Sequence, residues 1–168
     1  RVIASISEAI FSGAEAGWDR CKKIVENPCF SMISFTVTEK GYNLVNSDGD
    51  FFPAVLEDMA MDPAKDLPKG TMSQVAALLY HRFRHGAKPI TLVSFDNFSH
   101  NGEKLHDRVL TIAKAWEEKG FVDSDFIAYV EDQTQVSTPL TVIDRITPRP
   151  SDDVAATLTE QGLDAFKM

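Results

Sequence analysis

Ile90-Thr91-Leu92-Val93-Ser94-Phe95, broken off at once by Asp96-Asn97, is the stretch on which the fold turns. It is short, rich in β-branched and aromatic residues, and stops at two polar side chains. Such a run reads as a strand buried on both faces, the habit of parallel sheets. Two others resemble it: Cys29-Phe30-Ser31-Met32-Ile33-Ser34-Phe35-Thr36-Val37-Thr38 and Leu140-Thr141-Val142-Ile143. A fourth, weaker run spans Arg1 to Ile6.

Helical periodicity fills the gaps. Residues 14–26 set Trp18, Cys21, Ile24 and Val25 against Lys22, Lys23 and Glu26. Residues 71–85 align Val75, Leu78, Leu79 and Phe83, with Thr71 or Ser73 as caps. Residues 102–118 align Leu105, Val109, Ile112, Ala113 and Trp116, and Gly120 stands where a helix stops. Asp123-Ser124 caps a short helix through Val130. The segment 43–70, with Asn46, Gly49, Pro53, Pro63 and Pro68, reads as turns around one short helix near 53–60. Strands alternating with helices predict an α/β fold with a parallel sheet and right-handed crossovers. Ligands of such sheets bind beyond the carboxyl ends of the strands. The residues of interest are therefore Thr38-Glu39, Asp96-Asn97 and Asp144-Arg145.

Composition narrows the function. The 168 residues are 43% hydrophobic and 25% charged, a globular balance, and the net charge of −8 disfavours a nucleic-acid partner. The one basic stretch, His81-Arg82-Phe83-Arg84-His85, reads as the polar face of a helix. No run is long and apolar enough to predict a membrane span. Cys21 and Cys29 make no disulfide framework and read as buried, reduced thiols, suited to the cytoplasm. His81 and His85 lie four apart on a helix, as zinc ligands can, but the sequence shows no third ligand and they read as surface residues. His106 reads as a helix-surface residue, and His100 as one near the mouth of a site at Asn97.

The same strand ends carry a family resemblance. Thr36-Val37-Thr38-Glu39-Lys40-Gly41-Tyr42 resembles the "TxTEgGY" segment of mannitol dehydrogenases. Ser94-Phe95-Asp96-Asn97 with His100-Asn101-Gly102 resembles their "SCDN…NG", and Val142-Ile143-Asp144-Arg145-Ile146-Thr147-Pro148 their "MVDRITP". Phe95 stands where Cys is common, Ile143 replaces Val, and Thr138-Pro139-Leu140-Thr141 lacks the usual aromatic and Asn.

The resemblance implies a partial Rossmann-like parallel sheet with flanking helices. Residues 1–150 would form the second half of a nucleotide-binding domain, and 151–168 a tail or the start of a connection to a helical substrate domain. It implies an oxidoreductase that uses NAD or NADP to interconvert a polyol or aldonate with its keto sugar. Asn97 would donate a hydrogen bond to the reacting oxygen. Asp144 would serve catalysis and bind sugar hydroxyls, and Arg145 would fork onto substrate oxygens. Thr38 and Glu39, with Asn97, would face the cofactor. The family uses no metal. Asp96 would brace the loop from behind.

From the residues alone, Asn97 could equally close an Asx turn, Asp144-Arg145 could be a structural ion pair, and Glu39 a cap. Two family parts have no counterpart: no G-x-G-x-x-G follows a strand, and no helical domain supplies the Lys, Asn and His. By this reading the 168 residues alone are inactive and need a partner domain. The alternative is an α/β scaffold or binding module without a cofactor loop.

Overall fold

In the computed structural model, residues 5–143 and 152–162 are described. The elements run α1 (Glu15–Val25), β1 (Met32–Phe35), a 3-10 turn (Glu39–Tyr42), α2 (Pro53–Met59), α3 (Thr71–Arg84), β2 (Ile90–Ser94), α4 (Asn101–Glu118), α5 (Ser124–Glu131), β3 (Val136–Ser137) and α6 (Asp152–Glu160). The strands form a parallel sheet in the order β1-β2-β3, with Phe35 opposite Ser94 and Ile90 opposite Val136. The connection from β1 to β2 runs through α2 and α3, and that from β2 to β3 through α4 and α5. This is the α/β arrangement that alternating strands and helices predict.

The four longer predicted helices lie within a residue or two of their expected bounds, because each has an apolar stripe to bury. Trp18 and Val25 of α1, Val75 and Leu79 of α3, Leu105, Ile112 and Trp116 of α4, and Phe126 and Val130 of α5 enter one core with Phe35, Ile90, Leu92 and Val136. The short helix near 53–60 is α2. Gly120, at φ +73°, ends α4. Asp123 caps α5 by accepting from Phe126 N–H at 3.1 Å.

Several expectations are corrected. Residues 140–143 form no strand; β3 lies upstream at Val136–Ser137, and Thr141 is instead held by side-chain bonds described below. Burial on both faces is wrong for β1. Met32 and Ser34 are exposed, since the core lies only on the face carrying Ile33 and Phe35. Neither Thr71 nor Ser73 caps α3. Its N-cap is Gly70, and the distant carboxylate of Asp58 accepts from Lys69 N–H at 2.9 Å and Gly70 N–H at 2.8 Å. Cys29 is exposed rather than buried, in the turn that leads into β1, although both cysteines are free. Of the weak run Arg1–Ile6, residues 1–4 lie outside the described residues, and Ser5 and Ile6 form no strand.

The basic stretch also departs from a solvated face. Arg82 is buried, and its guanidinium donates to four carbonyls: Val25 (2.7 Å), Asn27 (3.2 Å), Lys88 (2.7 Å) and Pro89 (3.1 Å). His106 is half-buried, with Nε2 3.1 Å from the Val130 carbonyl.

Candidate active site at the strand ends

The carboxyl end of β2 is where the chain turns polar, and Asp96 organises it. Its side chain is buried and points back across the sheet to β1. One oxygen accepts from Val37 N–H and the other from Thr38 N–H, each at 3.0 Å, so the carboxylate joins the two strand ends. Tyr42 Oη donates to the same carboxylate at 2.8 Å and lies 2.9 Å from Ser94 Oγ. Burial pushes the Tyr42 phenol up to about 12, and the Asp96 charge adds to the rise, so Tyr42 stays a neutral donor. The expectation that Asp96 braces the loop fits this geometry.

Thr38 is held at φ 63°, ψ 161°, a region that only glycine enters without cost. A β-branched residue there stores about 1–3 kcal/mol. The Asp96 bond to its N–H is what holds it. Glu39 follows at the surface, with its carboxylate 3.9 Å from Lys104 Nζ.

A second clamp fixes the far wall. Asn101 opens α4 and is fully buried. Its Nδ2 donates to Asp96 O (3.2 Å), Thr141 O (3.1 Å) and Thr141 Oγ1 (2.7 Å). Its Oδ1 accepts from Gly102 N–H (2.8 Å) and Thr141 N–H (3.1 Å). Thr141 Oγ1 in turn donates to the Ser94 carbonyl. The segment 140–143 is therefore tied to the end of β2 without joining the sheet.

The approach is close enough that only glycine fits at 102. A Cβ there would stand 2.4 Å from the Thr138 carbonyl oxygen and 2.6 Å from that of Pro139. Gly102→Ala is expected to cost about 1–3 kcal/mol through backbone displacement. Urea unfolding checks this, and an unchanged midpoint would contradict so tight a contact.

Between the two walls lies an open cavity of about 300 Å³, lined by Asp96 through Asn101 and by Leu140 through Ile143. Asn97 is exposed on its rim, and its amide has no hydrogen-bond partner among the described residues. An Asx turn would engage that amide, so the geometry weighs against the purely structural reading. His100 lines the same cavity, in a left-handed conformation at φ 57°, and pairs with Glu103 at 3.1 Å.

The structure thus brings Asn97 and His100 to one cavity. Thr38 and Glu39 sit at the neighbouring strand end, joined through Asp96 but not lining it. Asp144 and Arg145 lie outside the described residues, although Ile143 just before them is on the cavity wall. Sequence reasoning missed Thr141, which no local pattern marks, and gave no role to Tyr42 or Asn101, though both stand in quoted motifs. A larger groove of about 570 Å³ at Phe51, Leu56 and Met59 faces the last turns of α4. It begins roughly 15 Å along that helix from the site, at 1.5 Å per residue, and belongs to a different surface.

Compared with known proteins, residues 1–164 match the mannitol dehydrogenase Rossmann domain family. The chain belongs to the mannitol dehydrogenase family. A relative in it, D-mannonate oxidoreductase of Thermotoga maritima, is 43% identical over the whole chain, which covers 31% of that protein. D-arabinitol 4-dehydrogenase of Klebsiella pneumoniae is 34% identical over 82% of the chain and 28% of its own length. Among solved structures, Pseudomonas fluorescens mannitol 2-dehydrogenase in a ternary complex with NAD and D-mannitol superposes with a TM-score of 0.71 at 28% identity, over 95% of this chain and 30% of that one. The chain thus spans about a third of the length of these mannitol dehydrogenase family members. The sheet is of Rossmann type, as expected. No helix among the described residues is long and apolar enough to cross a membrane.

Proposed function

We propose that this chain supplies the second half of the nucleotide-binding domain, residues 1–150, to an NAD(P)-dependent oxidoreductase. The reaction is the interconversion of an aldonate or polyol with its keto sugar. The observation that carries this reading is the exposed amide of Asn97, without a hydrogen-bond partner among the described residues, on a cavity at the carboxyl end of a parallel sheet in a chain of this family. Two further features support it. The β1 edge is unpaired and the Met32–Ser34 face uncovered among the described residues, as a half-sheet awaiting further strands requires. Both cysteines are free, which suits a cytoplasmic enzyme.

The residues present suit one end of a nicotinamide cofactor. The cavity offers polar groups and the exposed apolar side chains of Leu140 and Val142. No glycine-rich turn for the pyrophosphate occurs in the chain. Thr38 and Glu39 would receive the ribose hydroxyls. When bound, NAD or NADP would supply the hydride-transfer chemistry. Asn97 donates a hydrogen bond to the substrate oxygen and stabilises it as charge develops, without titrating. Asp144 accepts from sugar hydroxyls, and Arg145 forks onto substrate oxygens. The proton passes to a group outside this chain, in a helical partner domain.

Within the family we favour D-mannonate and its keto acid, fructuronate, because the D-mannonate oxidoreductase matches the full chain at 43% against 34% for the arabinitol enzyme. The test is oxidation of NADH and NADPH by the intact protein against fructose, fructuronate and tagaturonate. Turnover of fructuronate is the expected result. Turnover of fructose alone would refute the substrate assignment, and no turnover by a folded protein would favour a non-catalytic scaffold.

A further inference from the structure

The helical pair His81 and His85 lacks a third ligand in the sequence, but the fold delivers one from the far end of α1. Glu26, the C-cap of α1, brings its Oε1 to 2.8 Å from His81 Nε2 and 4.0 Å from His85 Nε2. The three ligand atoms lie within 4.8 Å of one another. We propose that Glu26, His81 and His85 form a binding site for a divalent transition-metal ion of the zinc class, clamping the ends of α1 and α3.

The hydrogen bonding prepares the site. His85 Nδ1 lies 2.7 Å from the His81 carbonyl, which can only accept, so Nδ1 carries the proton. Nε2 is then the ring nitrogen left to face the carboxylate oxygen. The 4.0 Å between them is close to the separation of two donors on one metal ion. A backbone carbonyl that fixes the imidazole tautomer is the usual support of a histidine metal ligand. A carboxylate only accepts, so His81 Nε2 carries the proton toward Glu26 in the metal-free site, and a binding metal ion displaces it.

The electrostatics agree. Glu26 caps α1 and His85 caps α3, so both stand at helix carboxyl ends, where the dipole favours a cation. Lys23 already occupies part of this position, with Nζ 3.2 and 3.0 Å from the two Glu26 oxygens. An exposed ammonium on a flexible stem is readily displaced. Two imidazoles with one carboxylate select zinc, nickel, cobalt or copper over magnesium or calcium. Tetrahedral zinc at ~2.0–2.2 Å from each donor separates donors by about 3.4 Å. The short pair must open, and the longer pairs, within 4.8 Å, close by at most about 1.4 Å. Rotamer adjustment at His85, which is exposed, supplies much of that movement. Water completes the coordination.

Isothermal titration of zinc chloride into chelator-stripped intact protein tests the proposal. One equivalent should bind at micromolar concentration or tighter. His85→Ala and Glu26→Gln should each weaken binding about tenfold or more. Lys23→Ala should tighten it several-fold, because zinc then displaces no ammonium. Circular dichroism of the metal-free variants should match the parent, since His85 and Lys23 are surface residues. Cobalt should give d–d absorption that His85→Ala abolishes. No zinc binding, or binding unchanged in His85→Ala and Glu26→Gln, would overturn the assignment.

Discussion

Asp96→Ala lowers the unfolding free energy by about 3–5 kcal/mol, close to the limit for a single substitution. The carboxylate serves three donors: Val37 N–H and Thr38 N–H, which have no other partner among the described residues, and Tyr42 Oη, which also lies 2.9 Å from Ser94 Oγ. Two are backbone groups at a part-buried strand end, and an orphaned donor costs about 1–3 kcal/mol where water cannot reach it. The sum is not additive, because Thr38 escapes its strained conformation once released. Asp96→Asn recovers only part of the loss, since its amide nitrogen must face one of the N–H groups. For a chain of this size the alanine variant should melt roughly 10 °C lower. The same variant should lose activity in the intact enzyme, because the end of β1 at Val37 and Thr38 is then no longer tied to the end of β2. A melting point within a few degrees of the parent would mean that the strand ends are held by something else.

Arg82→Leu has an effect of similar size by a different route. The guanidinium is buried with no carboxylate partner among the described residues, and its charge is met by the carbonyl oxygens of Val25, Asn27, Lys88 and Pro89. Val25 closes α1, and Lys88-Pro89 lead directly into β2, so one side chain ties a helix end to the approach of the central strand. Leucine would fill the volume but take a donor from all four carbonyls; Lys88 O keeps Tyr129 Oη and Asn27 O keeps Phe30 N–H, whereas those of Val25 and Pro89 lose the guanidinium without such a replacement. We expect a loss of about 3–5 kcal/mol. Arg82→Lys should restore little, because a single ammonium cannot span the positions that the planar fork reaches. Chemical unfolding of the two variants checks this. Full rescue by lysine would show that charge, rather than the fork, is what matters.

How far the sequence could be read depended on the range of the interactions involved. The helices were legible because amphipathic spacing is local: Trp18 with Val25, and Leu105 with Ile112 and Trp116, announce one buried face each. The polar stop after β2 was also legible and led directly to Asn97. What failed was long-range. Leu140-Thr141-Val142-Ile143 has strand composition, yet Asn101, forty residues away, captures Thr141 before it can pair. Val136–Ser137 is too short to carry a period. The one-sided burial of β1 depends on what covers the sheet, which no strand encodes. Arg82 looked like part of a solvated charge run because its partners are backbone carbonyls, and those are invisible in a sequence. The meeting of Glu26 with His81 spans fifty-five positions and shows no spacing signal at either end.

The central claim is that the strand-end cavity is where the substrate oxygen is held and that Asn97 holds it. Asn97 is exposed, so its replacement should leave stability within about 0.5 kcal/mol. The most direct test is steady-state kinetics of Asn97→Ala in the intact protein, with fructuronate and the preferred nicotinamide cofactor. The prediction is a fall in kcat of about 10²–10³, the usual effect of removing one donor to a developing oxyanion, with cofactor KM little changed. A kcat within twofold of the parent would contradict the account.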